Sequence, residues 1–101
     1  MFIVILKKQF IIIQLLPLNN LGIIYILGKH VKQDIPKAIH YFKLAANLNM
    51  KISQKTLGLI YYEGFHVPID MNKAIHYFLL ASRQNEPMSQ FYLGKIFYYG
   101  E

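Results

Sequence analysis

The side chains best suited to chemistry are the four histidines, and they fall as two equivalent pairs, His30 with His40 and His66 with His76. An imidazole can ligate a metal or move a proton near neutral pH. A zinc site, however, needs three or four ligands converging at about 2.0–2.3 Å from the metal. The chain has no cysteine and five carboxylates, so duplication of one unit explains the pairing more simply. His40 and His76 are expected on an outer helical face, and no metal site is expected. The acids Asp34, Glu63, Asp70, Glu86 and Glu101 stand apart from one another, and no nucleophile recurs beside a base at useful spacing. Gly22, Gly28, Gly58, Gly64, Gly94 and Gly100 belong to a repeat and not to a phosphate-binding loop. The sequence therefore predicts no catalytic residue, no cofactor and no enzyme.

What organises these residues is a period of 36. Leu21-Gly22 returns as Leu57-Gly58 and Leu93-Gly94, Ile24 as Ile60 and Ile96, Tyr25 as Tyr61 and Phe97, and Gly28 as Gly64 and Gly100. The segment Lys37-Ala38-Ile39-His40-Tyr41-Phe42 returns unchanged as Lys73-Ala74-Ile75-His76-Tyr77-Phe78. Self-similarity at one fixed spacing is the signature of a solenoid, whose units bury their apolar faces on one another.

Each unit reads as two helices. The first, over about Ser53 to Glu63, places Leu57, Gly58 and Tyr61 on one side and ends at Gly64, where left-handed backbone angles can terminate it. Asp34 and Asp70 stand where an N-cap would accept from free amides of the second helix. Pro36 is tolerated in that first turn. The second helix carries Ala38, Tyr41, Phe42 and Ala45, repeated as Ala74, Tyr77, Phe78 and Ala81, at i, i+3, i+4 and i+7. It runs to about Asn49 or Asn85, asparagine being the next best left-handed terminator after glycine. The small residues let helices approach and the rings fill the space between them.

The units run over 17–52 and 53–88, followed by the first helix of an incomplete third unit at 89–101, with an apolar leader at 1–16. In the third unit Leu93, Ile96 and Phe97 lack the second helix that covers their equivalents. A solenoid ordinarily closes with a polar cap, so the expectation is a piece of a longer array, and the uncapped C-terminal end is a candidate site of self-association. The leader, split by Lys7, Lys8 and Gln9, is too short and interrupted to span a membrane and lacks the charge order and cleavage site of a secretory signal. Lysines beside large apolar residues would suit a membrane surface instead.

With 54% apolar residues, eight Tyr and seven Phe, the chain has ample surface to bury, which argues against disorder. Its net charge of +6 keeps acidic proteins, anionic lipid and nucleic acid in view as partners. The basic residues are scattered and Arg83 is the sole arginine, which argues against nucleic-acid readout. Absence of cysteine and of any glycosylation acceptor fits a cytoplasmic location.

The spacing Leu-Gly-x-x-Tyr-x-x-Gly, then Val-x-x-Asp-x-x-Lys-Ala, then an aromatic and Leu-Ala, resembles the Sel-one-like repeat, a relative of the tetratricopeptide repeat. The resemblance covers Pro17 to Glu101 and implies an all-α fold, a right-handed superhelix of antiparallel hairpins with a concave inner wall. It also implies an adaptor or scaffold role. The chain departs from the pattern at His30 and His66, where the family usually has glycine. It has Tyr41 and Tyr77 where Trp is frequent, Asn49 and Asn85 for Gly, and Ser53 and Ser89 for Ala.

Positions that vary between units share one side of the first helix, opposite Leu21, Gly22, Tyr25 and their equivalents: Asn20, Ile23 and Leu27, then Thr56, Leu59 and Glu63, then Tyr92, Lys95 and Tyr99. By the resemblance this side lines the concave wall, and aromatic anchors among polar groups suit a bound protein segment. The reading is a non-enzymatic protein-interaction module. The alternative is a membrane-peripheral protein using the leader and the positive charge.

Overall fold

The computed structural model describes residues 17–99, so the leader 1–16, Gly100 and Glu101 lie outside the described residues. Within them the chain forms helices α1 (Leu18–Leu27), α2 (Ile35–Asn47), α3 (Lys51–Glu63), α4 (Met71–Ser82) and α5 (Pro87–Tyr99), and no strand. Each helix packs on the next in sequence, and α3 also touches α5. The hairpins α1–α2 and α3–α4 are the two units, with α5 opening the third. Both α3 and α5 begin two residues before the places where the repeat register divides the units.

Helix ends follow the chemistry of their residues. Gly28 and Gly64 take left-handed angles after α1 and α3, with φ of 67° and 71°. Asn49 and Asn85 do the same two or three residues beyond α2 and α4, with φ of 69° and 62°. In all four cases the next amide reaches back five residues: Lys29 to the carbonyl of Ile24, Phe65 to Ile60, Met50 to Ala45 and Glu86 to Ala81. Such a closure satisfies carbonyls that a helix end otherwise leaves free. At the other end, the Asp34 and Asp70 carboxylates accept from the amides of Lys37 and Lys73 at 3.0 and 3.1 Å. Their own amides donate to Tyr25 and Tyr61, tying the loop to the preceding helix.

His30 and His66 also lie at positive φ, 65° and 58°. This accounts for the glycine that the repeat pattern carries there: a side chain in that region is strained, and histidine is one of the residues that tolerates it best.

Within each hairpin the two helices meet at a glycine. A Cβ on Gly22 would stand 2.6 Å from the Phe42 ring, and one on Gly58 would stand 2.5 Å from Phe78. Both rings are fully buried, as are Ala38, Ala45, Ala74 and Ala81 on the same helices. Beside this contact Tyr25 stacks on Tyr41 with centroids 5.8 Å apart, and Tyr61 on Tyr77 at 6.2 Å. The ammonium of Lys37 lies 4.8 Å from the Tyr25 ring centre and that of Lys73 lies 5.0 Å from Tyr61. These are cation–π distances.

The third unit corrects one expectation. Leu93 and Ile96 are not left uncovered: each is only 8% exposed and belongs to the same apolar core as Phe78. They face back onto the preceding hairpin. Phe97, one residue further round the helix, is 65% exposed, where its equivalent Tyr61 is 6%. Among the described residues, a Cβ on Gly94 would meet no atom within 4 Å.

The same substitution should therefore act with opposite sign at two equivalent glycines. Gly58→Ala forces the Phe78 ring to move and is expected to lower stability by about 1–2 kcal/mol, a small-to-large core change partly offset by helix propensity. Gly94→Ala meets open space and should raise it by up to about 1 kcal/mol. Urea melts of the two variants check both signs. His66→Gly should raise stability by about 0.5–1 kcal/mol by relieving the positive φ, read in the same assay.

Candidate protein-binding face

The first helices of the units are joined side by side. The Ser53 hydroxyl on α3 donates to the Asn19 side-chain Oδ1 on α1 at 2.8 Å, in a buried contact. Between α3 and α5, Tyr62 meets Tyr92 edge-on with ring centroids 5.0 Å apart. Helices α1, α3 and α5 thus form one row, with α2 and α4 packed on them.

The nine residues picked from the sequence lie on this row, and they are not equivalent. On α1, Asn20, Ile23 and Leu27 are exposed. On α3, Glu63 is exposed, whereas Thr56 and Leu59 are half-buried. Leu59 packs against the core, and the Thr56 hydroxyl donates to the carbonyl of Ile52 in its own helix at 2.8 Å. On α5, Tyr99 is exposed, whereas Tyr92 lies against α4, stacked on Phe78 at 5.3 Å with planes 4° apart. The ammonium of Lys95 lies 5.7 Å from the Phe91 ring centre and 5.8 Å from that of Tyr92. The accessible apolar members are thus Ile23, Leu27 and Tyr99, while Leu59 and Tyr92 are half-buried and pack against the core.

Phe91 is a large exposed ring on the same row that sequence reasoning passed over. Its equivalents are Asn19, held by Ser53, and Lys55. The available signal was that this position, like its neighbour at Tyr92, changes character in every unit.

The histidines do not converge. His40 and His76 are exposed, each ring beside the tyrosine that follows it, and His66 sits edge-on to Phe65 with centroids 4.3 Å apart. Among the described residues no three His, Asp or Glu side chains come together as a metal-binding group would. Burial, with Tyr61 beside it, pushes the Tyr77 phenol above its ordinary value of 10.0.

Comparison with known proteins follows the same architecture. The Sel1 repeat matches residues 18–50, 53–86 and 87–101. Among solved structures, the chain is similar to a Sel1 repeat protein from Oxalobacter formigenes, with 35% identity and a TM-score of 0.74 over 82% of this chain and 34% of that one. It is also similar to c5321, described as a protective antigen present in uropathogenic Escherichia coli strains and displaying an SLR fold, with 31% identity and a TM-score of 0.76. That match covers 82% of this chain and 18% of c5321. The chain therefore spans a minor part of either protein. No curated protein matches it.

One carboxylate makes the row sensitive to pH. Glu86 immediately precedes α5 and accepts from the Ser89 amide and hydroxyl, both at 2.7 Å, and from the Met88 amide at 3.2 Å. Burial pushes its pKa up, but these hydrogen bonds and the charge of Lys55 outweigh it, and the carboxyl lies below its ordinary 4.5. A lowered carboxylate stabilises the fold in full above the unfolded pKa, and the contribution is lost as pH falls through the folded value. Glu86→Gln should cost about 1 kcal/mol at pH 7, as loss of a good cap does, and less at pH 3. Urea melts at the two pH values measure the difference.

Proposed function

Since the chain belongs to the Sel1 repeat family, whose members generally serve as scaffolds for protein–protein interaction, we propose that it is a non-enzymatic module holding a protein segment along the concave side of its row of first helices. The supporting observation is the set of large apolar side chains left accessible along that row, Ile23, Leu27 and Tyr99, with polar Asn20 and Glu63 among them. Apolar anchors rimmed by polar groups are what a bound helix or extended peptide requires. Nothing in the reading needs a reacting group. The partner supplies an apolar side chain or two, and the row supplies shape.

Peptides selected on the immobilised chain from a displayed library test this directly. Ile23→Asp combined with Leu27→Asp should weaken the selected peptides by about tenfold or more, the loss of one or two anchor contacts. Far-UV circular dichroism and the melting temperature should not move, because both side chains are exposed. Unchanged affinity in the double variant would remove the row as the binding surface.

A further inference from the structure

Charge and apolar surface are divided unevenly between the two edges of the solenoid. The hairpin loops 28–34 and 64–70 form one edge, and the junctions between units, 48–50 and 83–86, form the other. Of the acids among the described residues, Asp34, Glu63 and Asp70 all stand at the hairpin-loop edge. They offset Lys29, Lys32, Lys37 and Lys73 there, and the last two already lie over tyrosine rings. The junction edge holds one described acid, Glu86, which is 6% exposed and committed to the amides of Met88 and Ser89 and to the Ser89 hydroxyl. The charge of Lys55 acts on that same carboxylate. Lys43 near the end of α2, Lys51 at the start of α3 and Arg83 just after α4 are exposed, with no further described acid at this edge to offset them.

Large apolar side chains share the junction edge. Leu48 is 69% exposed, Ile52 53% and Met88 44%. Ile52 and Met88 hold equivalent places in successive units. Because α3 lies between α1 and α5, Ile52 keeps its exposure with a first helix on either side of its own, so the exposure belongs to the position and not to an open end. These residues come from a loop and from the first turns of two helices, which sets them at a rim and not along a groove. Apolar side chains at a rim among unpaired cations fit a soft anionic interface, where long basic side chains reach the headgroups while their apolar neighbours sink below them.

We propose that the junction edge is a peripheral docking surface for a bilayer containing anionic lipid. Lys43, Lys51 and Arg83 meet the headgroups, and Leu48, Ile52 and Met88 enter the boundary between headgroups and acyl chains. The contact is peripheral, since no helix among the described residues is long and apolar enough to cross a membrane. Docked by this edge, the solenoid holds Leu27, Glu63 and Tyr99, at the far ends of α1, α3 and α5, away from the lipid. The inference needs nothing from the leader 1–16 and stands apart from peptide binding on the row.

Co-sedimentation of the full chain with phosphatidylcholine vesicles, with and without phosphatidylserine, tests it. Binding is expected to the vesicles that contain phosphatidylserine, and it should fall as salt is raised, because exposed charges are screened. Lys51→Glu with Arg83→Glu should weaken it by about tenfold or more, each basic residue near an anionic surface being worth roughly fivefold. Leu48→Ser with Ile52→Ser should also weaken it, by about tenfold. Helicity should not change, because all four side chains are exposed. Lys29→Glu with Lys32→Glu, at the other edge, should cost far less. An equal loss from that pair would overturn the proposal by reducing the attraction to net charge, and absence of binding to either vesicle would end it outright. Binding that survives in the junction variants but is lost on Lys7→Glu with Lys8→Glu would name the leader instead. Capture of soluble polyglutamate without capture of vesicles would also overturn it, in favour of an acidic protein segment.

Discussion

A phenylalanine ring set against a glycine decides how closely the two helices of each hairpin approach, and nearly every other feature of the units adjusts to that distance. With Phe42 on Gly22 and Phe78 on Gly58, there is no room for larger side chains where Ala38, Ala45, Ala74 and Ala81 stand, and each of these is fully buried. Burying a Phe side chain is worth about 1.5–3 kcal/mol by area, so two such rings matter in a chain of this size. The same approach brings Tyr25 over Tyr41 and Tyr61 over Tyr77.

Between units the forces are of another kind. Apolar packing is joined by polar links that differ from junction to junction. Gln54 donates to the carbonyl of Ala46 at 3.1 Å, closing the end of α2, and Gln90 repeats the reach to Ser82 at 3.4 Å. Gln84 bridges from the loop after α4 to Asn49 and Gln54. Ser53 and Ser89 occupy equivalent, fully buried places, yet one hydroxyl goes to Asn19 and the other to Glu86. A buried hydroxyl must find an acceptor, and the neighbouring residue type decides which one. In a solenoid each unit contacts its neighbours alone, so such junctions can diverge without disturbing the hairpins.

The fold was legible because repetition multiplies weak signals: one Leu-Gly pair says little, but three at a fixed spacing, with aspartate caps and terminators in step, specify helical hairpins. The candidate face was legible only in part. Helical spacing placed all nine residues on the row, but it could not tell exposed Leu27 from half-buried Leu59, nor see that Tyr92 lies against Phe78. Depth depends on what the neighbouring helix presents, and Phe78 lies on another element. Glu86 escaped notice as a cap for a related reason: its equivalent in the preceding unit is Met50, which makes no side-chain cap, so the repeat concealed it.

The sequence by itself determined the element types, their order, the places where helices start and stop, and the need for neighbours to stack. These follow from local backbone preferences and from periodicity, which act within a few residues. Only the tertiary structure decided that Leu93 and Ile96 turn back into the core while Phe97 faces outward. It also decided that rings fill the space at Gly22 and Gly58, whereas no described residue does so at Gly94, and which of the variable residues reach solvent. Those outcomes depend on contacts between different elements, as Gly58 with Phe78 or Tyr92 with Phe78, and no local preference encodes them.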